Sequence, residues 1–145
     1  MSAEDNKEFV LSSYRAFASQ DKQQIGSFFA PDAAWVVPEG NATVLALGRS
    51  TGWIGREAIV KYLTEDIARL FSNTKVDFLS VTADGDNVII EQAYEGTVCN
   101  GRIYKMVFCF IFVVRDRLIH QVRAYFDTAL GFKQIFGEEA PRQLV

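Results

Sequence analysis

The chain is poor in the groups on which much enzyme and metal chemistry depends. Its 145 residues hold one histidine, His120, and two cysteines, Cys99 and Cys109. Zinc and iron centres need three or four converging ligands, so one histidine without an inward carboxylate cluster predicts no metal site. Two cysteines are too few for a disulfide framework. Cys99 falls beside a turn and Cys109 falls mid-strand, so both are expected as thiols in a reducing cytoplasm. No glycine-rich phosphate loop is present, and no cofactor is expected. Nor is there an excess of basic charge. Fifteen Lys and Arg against 18 Asp and Glu give a net charge of -3, which argues against a nucleic-acid partner. The longest apolar run, Met106 to Val114, has the length of a strand and falls far short of the ~20 residues of a membrane helix. The polar, acidic opening MSAEDNKEF has no signal-peptide pattern, so the expected location is the cytoplasm.

Apolar and aromatic residues are plentiful: 49% of the chain is hydrophobic, with 12 phenylalanines, which excludes disorder. A chain of this length is one domain that buries roughly 68–70% of its unfolded surface.

Phe9, Val10, Ser13, Tyr14 and Phe17 recur at helical spacing and predict an amphipathic helix over about 3–20. Asp21 is a candidate N-cap for a short second helix striped by Ile25, Phe28 and Phe29, which Pro31 ends. Ala33 to Val37 reads as a strand, and Ala42 to Leu47 as a further short strand. Ile59, Leu63, Ile67 and Leu70 mark a third helix over about 56–71. Lys75 to Ala83 is the next strand, turning at Asp84-Gly85. Helices first and sheet later give an α+β domain over 1–136. Residues 137–145 lack periodicity and read as a loose tail or a lid.

From Val88 to Asp127 three long strands are separated by Asn100-Gly101 and Asp116-Arg117. Asn-Gly is a strong signal for a two-residue turn with positive φ at both positions. Two-residue turns at both sites fix the register. Val113 then faces His120, Ile111 faces Val122, Cys109 faces Ala124 and Val107 faces Phe126, with Gln92, Tyr94, Gly96 and Val98 on the same side. The other side carries Glu91, Ala93, Glu95, Phe108, Phe110, Phe112, Gln121, Arg123 and Tyr125. A β-bulge would flip part of this assignment.

Four segments in order carry a family resemblance: YRAFASQD (14–21), FFAPDAAWVVPEG (28–40), GREAIVKYL (55–63) and NGRIYKMVFCFIFVVRDRLIHQVRAYFD (100–127). Together they resemble the SnoaL-like polyketide cyclases and ketosteroid isomerases of the nuclear-transport-factor-2-like superfamily. The resemblance implies a cone: three N-terminal helices packed on a strongly curved, mainly antiparallel sheet that encloses an apolar pocket, often in a homodimer. It also implies that the side of the sheet holding Ala124 is the concave one. Phe108, Phe110 and Phe112 would then lie outside with Tyr125 and Arg123. That surface suits a homodimer, with Arg123 pairing Glu91 or Glu95 at its rim.

The same resemblance allows the chemistry to be compared. A ketosteroid isomerase uses a carboxylate base with a tyrosine and a protonated acid as an oxyanion hole. By motif spacing these fall on Val37, on Ser13 (with Tyr14 one residue away) and on Cys109. A valine cannot take a proton, and general-base catalysis of about 10²–10⁴-fold goes with it. In limonene epoxide hydrolase, a second relative, an aspartate maps to Ala124 and the arginine–aspartate pair maps near Gln92 and Tyr94. Both carboxylate mechanisms fail here.

What remains inward is neutral. His120, Tyr94 and Tyr14 are the candidate catalytic groups, His120 as acid or base and the tyrosines as donors to a carbonyl. His120 lies near a hairpin end and is equally read as an exposed residue. The candidate ligand contacts are Phe17, Trp35, Val37, Tyr62, Gln92, Cys109, Ile111, Ala124 and Phe126. Trp53 reads as a loop anchor, Asp127 as a capping residue and Glu39 as a loop acid.

Two functional readings follow. One is a cofactor-independent isomerase, cyclase or dehydratase acting on a hydrophobic carbonyl compound of polyketide, terpenoid or steroid-like type. The other is a non-catalytic carrier of an apolar ligand, or a dimeric interaction module.

Overall fold

The computed structural model describes residues 2–145. Helix α1 spans Ala3–Ser19, and its start is fixed by a capping box in which Ser2 and Asp5 satisfy each other's backbone N–H. It buries Phe9, Val10, Ser13 and Ala16. Helix α2, Lys22–Gly26, starts at Asp21, whose side chain accepts from the Gln24 N–H. Pro31 does not end this helix; it lies inside strand β1, Phe29–Val36. An irregular register between Phe29 and Ala34 accommodates a residue with no N–H to donate.

The expected strand at Ala42 to Leu47 is instead helix α3, Ala42–Ala46. Asn41 decides this, because its Oδ1 accepts from both Thr43 and Val44 N–H and so caps a helical turn. Strand β2 is Trp53–Ile54, and its approach to β1 depends on Gly52. A Cβ at Gly52 would run into the Trp35 carbonyl oxygen. The third helix has three parts: α4 (Arg56–Lys61), a π-helical turn (Tyr62–Asp66) and α5 (Ile67–Leu70). Strands β3 (Phe71–Asp84), β4 (Asn87–Val98), β5 (Ile103–Arg115) and β6 (Leu118–Tyr125) follow. Helix α6, Thr128–Phe136, is an element that the sequence reading lacks. Asp127 caps it by accepting from the Leu130 N–H, the capping role expected of that residue. The terminal segment is tied down, since the Leu144 N–H donates to the Ala46 carbonyl at 2.8 Å.

The six strands form one curved sheet in the order β2-β1-β6-β5-β4-β3, antiparallel throughout except for β1 with β6. Bulges in β3 and β6 help it bend. The helices cover the concave side, which gives the α+β cone implied by the sequence. No helix among the described residues is long and apolar enough to cross a membrane.

The register differs from expectation in two places, and the two differences cancel on the last strand. At Asn100-Gly101 only Gly101 has positive φ, 91°. Gly101 N–H returns to Val98 O, and Val98 N–H donates to Arg102 O, which makes a three-residue loop. The extra residue pairs Gln92 with Phe108 and Ile90 with Phe110. It therefore turns β5 over: Phe108, Phe110 and Phe112 face the concave side, while Val107, Cys109 and Ile111 face out. The second turn is the expected two-residue one, with φ of 52° and 56° at Asp116 and Arg117 and Arg115 opposite Leu118. His120 then forms a bulge between the Val114–Ile119 and Val113–Gln121 pairs. This second slip opposes the first, so Val122 and Ala124 remain on the concave side as predicted, now beside Phe112 and Phe110.

Candidate functional site

Between the concave sheet face and the helices lies a cavity of about 870 Å³. Its size is that of a pocket for a drug-sized molecule. One wall comes from α1. The Tyr14 ring stands edge-on to Phe78 and to Phe112, and its hydroxyl donates to Gln92 Oε1 at 2.7 Å. Gln92 is 5% exposed, so this hydrogen bond satisfies an acceptor that would otherwise be buried alone. The opposite wall is an aromatic stack. Trp53 lies flat on Tyr62 with ring centroids 3.8 Å apart, and Trp35 meets Tyr62 edge-on at 5.7 Å. The π-helical turn begins at Tyr62, which sets that ring onto Trp53. Tyr94 and Tyr104, 6.2 Å apart, close the end beneath Phe71 and Phe108.

Burial pushes the hydroxyls of Tyr14, Tyr62, Tyr94 and Tyr104 well above the ordinary tyrosine value. Tyr62 is raised further by Tyr94, Tyr104 and Asp66 nearby. All four stay protonated at neutral pH and serve as neutral hydrogen-bond donors. Thr43 tempers the rise at Tyr104 without closing a hydrogen bond to it. Arg15 is the one charged side chain among the lining residues, which include no carboxylate, histidine or cysteine.

Tyr14, Tyr94, Phe17, Trp35, Val37, Tyr62, Gln92, Ala124 and Phe126 all lie in this wall. Three candidates do not. Cys109 and Ile111 belong to the convex face, opposite Tyr125 and Arg123, because the three-residue loop turned β5 over. His120 sits half-buried in the β6 bulge next to the hairpin end and does not line the cavity. Glu39 is exposed and also outside the lining.

The convex face needs the complementary correction. Phe108 and Phe110 line the cavity, Phe112 is fully buried, and only Arg123 and Tyr125 of the expected interface point outward. Arg123 pairs with neither glutamate; its Nη1 donates to Gln121 Oε1 at 2.6 Å.

The site also includes residues that the sequence reading did not assign to it, chiefly Asn41, Thr43, Trp53, Tyr104 and Phe71. For Asn41 a signal was available, an Asn two residues before a β-branched pair with capping potential. Tyr104 was hidden by the register, since Met106 and Tyr104 change face with the rest of β5. The correction also leaves Phe110, in place of Cys109, opposite Ala124. The position of the buried acid in a ketosteroid isomerase is therefore apolar under either register.

Comparison with solved structures gives the same fold. A protein of unknown function, NTF2-like, from Burkholderia pseudomallei K96243 matches with a TM-score of 0.78 at 21% identity, over 93% of this chain and 98% of that one. TerC, co-crystallized with polyporic acid, matches with a TM-score of 0.74 at 24% identity, over 89% and 96%. A hypothetical protein of ketosteroid isomerase-like fold from Catenulispora acidiphila DSM 44928, in complex with trimethylamine, matches with a TM-score of 0.71 at 20% identity, over 92% and 98%. No curated protein matches the chain. The SnoaL-like domain model matches residues 10–130, nearly the whole of the cone, and the chain belongs to that family.

Proposed function

We propose that this protein binds a hydrophobic carbonyl compound, of polyketide, terpenoid or steroid-like type, inside the cone. The observation that carries the reading is the composition of the cavity wall: aromatic rings around four protonated tyrosine hydroxyls, with no carboxylate or histidine among the lining residues. Apolar area supplies the affinity and a few polar groups orient the guest. The likeness to TerC, co-crystallized with polyporic acid, supports a small organic guest in this scaffold.

A second reading adds turnover. Neutral donors around a carbonyl stabilise a developing oxyanion, and an enclosing wall holds a flexible chain in a reactive conformation. A cyclisation or isomerisation that needs no side-chain base suits such a wall. One experiment separates the readings: native mass spectrometry of the protein incubated with aromatic ketones and cyclic terpenoid ketones, followed by recovery of the guest. A guest recovered unchanged supports the carrier, a converted guest supports the enzyme, and no bound species rejects both.

The convex face supports a homodimer on grounds other than those of the sequence. Val107, Tyr125 and Ile103 are 51%, 52% and 58% exposed there, beside Ile89 and Arg123. An exposed sheet face of this kind, with apolar residues set around the Lys105–Glu95 ion pair, suits a second copy. Sedimentation showing a dimer, with Val107→Lys shifting it to monomer, is the expected result. A wild-type monomer at high concentration rejects the assembly.

A further inference from the structure

Exposure grades along the cavity wall and locates its mouth. At one end Asn41, Trp53, Tyr104 and Ala124 are all buried. At the other, Arg15 and Ala18 of α1, Ala68 of α5 and Thr74, Val76 and Phe78 of β3 are exposed while lining the same cavity. Val76 and Phe78 stand opposite Tyr94 and Gln92 and so belong to the concave face, yet they are 42% and 45% exposed. The helices leave this stretch of β3, the edge strand, uncovered, and the cavity opens there. The rim is held in place: Gln20 Nε2 donates to the Phe17 and Leu63 carbonyls at 2.7 and 3.3 Å, tying the end of α1 to the π-helical turn.

The charge of the wall is at this mouth. Leu11, Arg15 and Ala18 recur at helical spacing and form one stripe of α1 beside Tyr14 and Phe17. Arg15 Nη2 donates to Ser12 Oγ at 2.9 Å, and among the described residues no carboxylate pairs with it. Charges on the other rim elements are compensated. Glu65 is held by Lys22 at 2.8 Å, and Asp66 by Lys61 at 2.8 Å and Arg69 at 3.1 Å. Lys75 and Asp77 pair with each other at 3.5 Å, at positions of β3 that alternate with Thr74, Val76 and Phe78. A guanidinium is a planar fork that fits a carboxylate. A carboxylate carried to the floor of the cavity would lose its water among aromatic rings with no cation to meet it. At the mouth it keeps part of its hydration and meets Arg15, while an apolar body gains by leaving water for the wall. The two effects fix one orientation, apolar end inward and acid outward.

We infer that Arg15 determines specificity at the mouth, where it pairs with the carboxylate of a keto acid whose apolar, ketone-bearing body lies inside the cone. The inference rests on the proposed binding of a carbonyl compound in this cavity and names its class. The net charge of -3 opposes an anion at long range, so a preference for the acid is local to this arginine.

The test compares 3-(2-naphthoyl)propanoate with its primary amide, a neutral compound of the same shape, by equilibrium dialysis at neutral pH and low salt. The acid is expected to bind about threefold to fivefold tighter than the amide, the range of an ion pair at a partly exposed site. Added salt should shrink that ratio, because the mouth is open to counter-ions. Arg15→Gln is expected to bring the ratio to about one and Arg15→Glu to invert it, while Arg15→Lys keeps the acid ahead. Arg15 is exposed and both Gln and Lys are good helix formers, so these variants keep the fold. Equal binding of acid and amide by the wild type overturns the role of Arg15 and leaves cavity binding standing. An acid preference that survives Arg15→Gln overturns it as well. Failure of acid and amide alike to bind rejects the inference together with the reading beneath it.

Discussion

The two ends of the cavity contain the same residue type in different states. At the α1 end, Tyr14 and Gln92 satisfy one another, and Phe112 and Phe78 brace the ring. At the Trp53 end, Tyr104 is buried with no hydrogen-bond partner for its hydroxyl, while Tyr62 and Tyr94 are half-buried among aromatic rings and make no side-chain hydrogen bond within the protein. All four hydroxyls are pushed upward by burial. Burial alone therefore does not separate them; hydrogen-bond partnership does. A polar group paired within the chain contributes to folding, whereas an unpaired buried donor costs stability and is retained where something else uses it.

The largest expected effect concerns the brace at the α1 end. Phe112→Ala removes a fully buried ring that packs on Tyr14 and is expected to cost about 3–5 kcal/mol in urea denaturation. The second measurement is stability at alkaline pH, which addresses both ends together. Above the ordinary tyrosine value of 10.0, the unfolded chain loses tyrosine protons that the native state retains. The unfolded state then binds fewer protons, so stability falls as pH rises, by up to about 1.4 kcal/mol per pH unit for each buried tyrosine. Replacing any of the four by phenylalanine should flatten this decline, and a flat wild-type profile would refute their burial in protonated form.

The third effect is smaller and tests the comparison directly. Tyr14→Phe leaves Gln92 Oε1 buried without its donor and is expected to cost about 1–3 kcal/mol. Tyr104→Phe removes a hydroxyl that has no partner and should change stability by no more than about 0.5 kcal/mol, or raise it. Equal losses from the two substitutions would remove the distinction between the ends. Smallest of all, His120→Ala in the half-buried bulge should leave guest affinity unchanged, as measured by calorimetry with whichever ketone binds. A tenfold loss of affinity would return His120 to the site.

Much of the cone was legible because its signals are local. The apolar spacing of Phe9, Val10 and Ser13, the cap at Asp21 and the long strands after Lys75 each depend on near neighbours. Helix α3 was misread because an apolar, β-branched run resembles a strand until Asn41 is seen to cap it. Helix α6 went unseen although its cap, Asp127, was assigned a capping role. The cavity wall was legible where two errors offset each other. Gln92 and Tyr94 precede the first slip, and Ala124 and Phe126 follow the second, so their face was right. Cys109 and Ile111 lie between the two slips, and their face was wrong.

By itself the sequence determined the class of the fold, the apolar and aromatic character of the interior, and the lack of family carboxylates at Val37, Ala124 and Gln92, because composition and spacing are properties of the chain alone. Tertiary structure decided which face of β5 looks inward and which tyrosines have partners. The first choice turned on one residue in the Cys99–Gly101 loop and one bulge at His120. The side-chain period of a strand is two, so a one-residue slip exchanges the inside for the outside. The second depends on contacts such as Tyr14 with Gln92, 78 positions apart, which exist only once the sheet has curved around the helix.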